Sequence, residues 1–97
     1  MVVGVARIEL VFHGCRSLKD KRRILRSIIE RTRGRFGVAV AEVEDQDLWQ
    51  RSVIGVACVS ASSSLATQMI QTIAAYVADA HPEGEVLDQQ IEVLALF

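Results

Sequence analysis

Seven consecutive residues, Val53 to Val59, are apolar or glycine at every position, and no other stretch restricts the fold as much. In an extended conformation Ile54, Val56 and Cys58 fall on one side and Gly55 and Ala57 on the other. A strand that is apolar on both faces has no solvent side and belongs at the centre of a sheet. The stretch is also far shorter than the ~20 residues that a membrane-spanning helix needs.

The segments around it alternate between strand and helix periodicity. Val2 to Phe12 reads as a strand, with Gly4, Ala6, Ile8, Leu10 and Phe12 on one face and Val3, Val5, Arg7, Glu9 and Val11 on the other. After the turn at His13 to Arg16, Ser17 and Asp20 form an S-x-x-D box that starts a helix, and Asp20 suits the positive helix end. Leu18, Leu25, Ile28, Ile29 and Thr32 make its inner stripe, and the helix is expected to end near Gly34. Phe36 to Glu44 follows as the second strand and Glu44 to Asp47 as a polar hairpin turn leading to the central strand. A second helix is expected over Leu65 to about Ala80, capped from Ser60 to Ser64. Its inner stripe is Leu65, Met69, Ile73, Tyr76 and Val77, and Thr67, Gln71, Ala74, Ala75 and Ala78 face outward. His81 to Gly84 stops it, and Glu85 to Leu96 is the last strand.

Strand, helix, strand, strand, helix, strand is the order of the split β–α–β arrangement. The expected fold is α+β: a ferredoxin-like βαββαβ sandwich, one domain over residues 1–97. Its four-stranded antiparallel sheet has the order 4-1-3-2, with two helices on one face. This topology gathers the first turn, the hairpin tip and the turn after the second helix at one end. Arg16 and Lys19 should then lie near Glu44, Asp45 and Asp47.

Charge is segregated along the chain. Nine of the eleven Lys and Arg residues lie between Arg16 and Arg35, opposed there only by Asp20 and Glu30, so this segment carries +7 within a chain of net charge −1. No basic region followed by an apolar stretch opens the sequence, and Arg7 and Glu9 come early, so a cytoplasmic protein without membrane contact is expected. Cys15 and Cys58 lack any CxxC or Cys/His spacing, which favours free thiols over a disulfide or metal site.

Three segments carry a resemblance. Arg16-Ser17-Leu18-Lys19-Asp20-Lys21-Arg22-Arg23, then Arg35 to Val43, then Asp47 to Ala57, in this order, are similar to the small bacterial YlxP-like family. The resemblance covers essentially the whole chain and implies a ferredoxin-like fold. Members of the family are of uncharacterised function, some encoded beside translation and ribosome-maturation genes, and no catalytic residues are implied.

Lys19, Arg22, Arg23, Arg26 and Arg33 gather on one solvent-facing stripe of the first helix, with Arg16 just before it. Like charges at this spacing oppose helix formation, and arginine forks onto phosphate oxygens, so RNA or a ribosomal particle is the expected partner. The competing reading is a solvated face neutralised by the acidic hairpin tip. RNA readers that use a sheet of this fold stack bases on aromatic residues in the central strands. The outward positions here hold none, so Val3, Val5 and Val53, with Trp49 at the edge, are read instead as an association surface for a homodimer or a partner protein. Enzyme chemistry is not signalled. The chain contains no asparagine, which an acylphosphatase-type mechanism needs, and no Gly-rich phosphate loop. No metal or cofactor is expected, since His13, His81, Asp45, Asp47 and Cys15 have no ligand spacing.

Overall fold

The computed structural model describes residues 1–97. Its elements are β1 (Val2–Val11), α1 (Leu18–Phe36), β2 (Ala39–Glu44), β3 (Arg51–Ser60), α2 (Ser63–Ala78) and β4 (Glu85–Ala95). The strands form one antiparallel sheet in the order β2-β3-β1-β4, which counted from the other edge is 4-1-3-2. The doubly apolar stretch therefore lies inside the sheet, paired with β1 on one side and β2 on the other.

Ile24, Leu25 and Ile28 of α1 and Ile70, Ile73 and Val77 of α2 share one core with Ala6, Ile8, Leu10, Ile54 and Val56. Both helices thus cover the same face of the sheet, and the opposite face has no covering layer. The approach of α2 is close at its first turn. A Cβ on Gly4 would stand 3.0 Å from the Cys58 Sγ and 3.3 Å from the Ala66 carbonyl, so β1 needs a residue without a side chain there.

α1 does not stop at Gly34. It continues to Phe36, and Gly37, at φ 62°, provides the left-handed cap with its N–H donating to the Arg33 carbonyl at 2.8 Å. The extra turn is held by packing. The Phe36 and Tyr76 rings meet edge-on at 5.2 Å, with the Arg35 guanidinium 5.1 Å from the Tyr76 centroid. The second strand consequently begins at Ala39 rather than Phe36.

The inner stripes also differ from those read from the sequence. In α1 the buried residues are Lys21, Ile24, Leu25, Ile28 and Thr32, while Leu18 and Ile29 are only half-buried. α2 spans Ser63–Ala78 and buries Ala66, Ile70, Ile73, Ala74 and Val77, leaving Leu65 and Met69 exposed. Its stripe is turned by about one residue because small Ala66 and Ala74 allow the helix to settle near the sheet. No helix is long and apolar enough to cross a membrane.

Candidate functional site

The Ser17 hydroxyl accepts the Asp20 N–H at 3.0 Å, and the Asp20 carboxylate accepts the Arg16 N–H at 3.2 Å. These two bonds fix the start of α1 and point the following residues. Lys19, Arg22, Arg23 and Arg26 are all exposed and, with Asp20, line an open hollow of about 740 Å³. Ion pairs in the structure join Arg7 to Glu9 and Glu44 and Lys21 to Glu42, and His13 is within hydrogen-bond distance of Glu85; none reaches this hollow. The positive end of the helix dipole adds to the same field.

The basic cluster divides along the helix. Its C-terminal part is committed to the fold: Arg31 donates to the Ala80 carbonyl at 3.0 Å, Arg33 to the Val40 carbonyl at 2.8 Å, and Arg35 stacks on the two rings. Arg33, placed with the phosphate contacts in the sequence reading, is instead drawn down onto the edge strand β2. Arg16, Lys19, Arg22, Arg23 and Arg26 remain without a side-chain partner in the chain.

Lys21 is the residue that pattern reading missed. It is fully buried, and its Nζ lies 3.1 Å from Glu42 Oε2, 2.7 Å from the Asp45 carbonyl, 3.2 Å from that of Gln46 and 3.1 Å from that of Arg51. Ser52 Oγ donates to the same Glu42 oxygen at 2.6 Å. An ammonium has three protons, so the four acceptors share them, and the hairpin tip is tied to α1 at its base. Arg16 and Lys19 do not contact the acidic tip as expected. Lys21 takes that place from below, and Glu44 turns to the sheet face.

The three loops at this end do meet. Gln50 Nε2 donates to the Cys15 carbonyl at 3.1 Å, and His13 Nε2 lies 3.0 Å from Glu85 Oε2. Trp49 projects from the tip, 54% exposed. Cys15 and Cys58 are free and buried, and burial pushes the Cys15 thiol up, so it is a poor nucleophile.

On the uncovered sheet face Arg7 reaches from β1 across β3 to β2, with Nε 2.7 Å from Glu44 Oε2 and Nη1 2.9 Å from Glu9 Oε1. The register sets Val53 between Glu9 and Glu44, beneath this bridge, and Val53 is only 2% exposed. It is therefore withdrawn from the association surface, while Val3 and Val5 remain partly accessible. The bulge between Glu42 and Glu44 lays Val43 over Gly55. Beside it, Val5, Ala39, Ala41 and Ala57 floor a shallow apolar trough of about 350 Å³.

The hydrogen bond from Arg7 holds the Glu44 carboxyl below the usual carboxylate range, and Arg7 is raised in turn. A depressed folded value means that the bridge stabilises the fold at neutral pH and loses that contribution as pH falls through the depressed value. Carboxyl titration by NMR is expected to give Glu44 a low midpoint that rises into the usual range in Arg7→Met. Equal midpoints in the two proteins would show that the bridge is not held in solution.

Residues 3–91 match a family described as a protein of unknown function, DUF503. The chain is similar to the uncharacterized protein YlxP of Bacillus subtilis (strain 168), 36% identical over 84 residues that cover 87% of this chain and 90% of the relative. Among solved structures it is similar to the de novo designed protein Foldit4, with a TM-score of 0.54 over the whole of both chains at 12% identity. That last likeness concerns the fold alone.

Proposed function

The chain belongs to the DUF503 family of proteins of unknown function, and we propose that it binds RNA by the phosphate backbone through the exposed N-terminal half of α1. The observation that carries this reading is the division of the basic cluster: Arg31, Arg33 and Arg35 serve the fold, whereas Lys19, Arg22, Arg23 and Arg26 are exposed and unpaired. Unpaired like charges at i,i+3 and i,i+4 oppose the helix by a few tenths of a kcal/mol each, and an anionic partner removes that penalty. Arg16 extends the patch at the helix start. Recognition is of charge and shape, because the open sheet face offers no aromatic platform for bases. An RNA surface on a ribosomal particle meets these requirements. The element order and the placement of both helices on one face favour a ferredoxin-like scaffold for this role.

A second reading, a protein-binding adaptor, draws support from the apolar trough on the sheet face and from exposed Trp49. Salt separates the two. For four phosphate contacts on a single strand, log affinity for a labelled RNA oligonucleotide should fall with log salt at a slope of about −3. Trp49, the only tryptophan, should keep its emission during RNA binding and shift it when a protein docks at the tip. A salt-independent affinity, or no RNA binding at low salt, would rule out the phosphate reading.

A further inference from the structure

The two edges of the sheet are unlike. β2 is six residues long, lies under α1, and has its Val40 carbonyl capped by Arg33. β4 is eleven residues long and pairs only with β1, so one whole edge of it is unpartnered. An uncovered edge of this length is a template for another strand. It contains no Lys and no Pro, two of the residues that natural edges use to refuse such pairing. Exposed Ile91 and Leu94 add apolar surface. The helix that lies over β1 and β4 matches this edge in character, since α2 has no charged residue in its sixteen positions, whereas α1 is densely charged.

From these features we infer that β4 pairs antiparallel with β4 of a second copy, about a two-fold axis at Ile91. Charge and ladder length select the register, since an axis at Val93 also opposes no like charges but leaves the residues before Gln89 without a partner. With the axis at Gln90, Asp88 would face Glu92 of the other copy twice, and with the axis at Glu92 two glutamates would meet. Directly opposed like charges are destabilising. Placing the axis at Gln89 runs the ladder into the bulge next to Glu9, where Asp88 gives way to Val86 in the pairing with β1. With the axis at Ile91, Ile91 packs on its own copy, Gln90 opposes Glu92, and Asp88 opposes Leu94, so no like charges meet. The self-complementary strand makes a second copy the fitting occupant, and the operation keeps both α2 helices on the same side of one continuous sheet.

Sedimentation equilibrium on the whole chain tests this independently of RNA. The wild type should approach twice the 10.7 kDa chain mass as concentration rises. Ile91→Lys, which places two ammonium groups at the axis, should return it to the single-chain mass, and Val5→Lys on the open face should leave the doubled mass intact. A single-chain mass for the wild type at every concentration would overturn the proposal. So would a doubled mass that survives Ile91→Lys or is lost in Val5→Lys. Should Ile91→Lys fail to fold, hydrogen exchange on the wild type decides: β4 amides should be protected more strongly in concentrated than in dilute protein, and equal exchange rates would refute the pairing.

Discussion

Replacing Lys21 with methionine is expected to destabilise the fold by about 3–5 kcal/mol, the range for breaking one side of a buried ion pair. The aliphatic part of the side chain survives this change, so core packing is largely kept. Lost are the only charged partner of Glu42 and the donor to the Asp45, Gln46 and Arg51 carbonyls. Buried acceptors without donors carry their full desolvation penalty. Urea unfolding followed by far-UV circular dichroism measures the loss. Lys21→Arg should not rescue it, because the site is closed and a planar guanidinium cannot present its protons to the same converging set of oxygens. By contrast Lys19→Met, on the exposed face two residues away, should change stability by no more than about 0.5 kcal/mol. A loss below about 1 kcal/mol for Lys21→Met would mean that the hairpin tip stands without this anchor.

The double variant Arg22→Glu/Arg26→Glu is expected to weaken RNA binding by about 100-fold or more, since two attractive phosphate contacts become repulsive ones worth several kcal/mol together. Stability should move little, by no more than about 0.5 kcal/mol. Both side chains are exposed, and reversal turns the Lys19–Arg22 and Arg23–Arg26 repulsions at i,i+3 into attractions while turning the Arg26–Glu30 attraction at i,i+4 into a repulsion, so the local terms largely offset one another. Fold loss and binding loss are thereby separated within one protein. RNA affinity equal to that of the wild type would end the phosphate hypothesis.

Much of the architecture is legible in the sequence because alternation in β1 has no helical interpretation, and the apolar run in β3 is short, rich in β-branched residues and interrupted by Gly55, which favours a strand over a buried helix. The limits are equally physical. α2 carries apolar or small residues around most of its circumference, so periodicity alone cannot phase it, and the close approach permitted by Gly4 and Ala66 decides which side is buried. Two glycines near the end of α1 compete as stops, and the Phe36–Tyr76 contact chooses the later one. Lys21 was hidden by habit of classification. Lysine is counted as a surface residue, yet position 21 shares the inner stripe of Ile24, Leu25, Ile28 and Thr32, and that placement was readable. Val53 went the other way: alternation put it outward, and only the Arg7 bridge over β3, completed across a bulge, shows how it is sheltered.

The arginine cap on the β2 carbonyl has a consequence for growth. Sheets with two adhesive rims add subunits at either side and lengthen without limit. Here one rim is short, lies beside α1 and has its Val40 carbonyl engaged by Arg33, which favours lateral addition at the other. If two copies join along β4 as inferred above, no free rim of that length is left for a third to extend, and such an assembly would be finite. Freeing the Val40 carbonyl would reopen the second rim and turn a terminating pair into a seed for filaments.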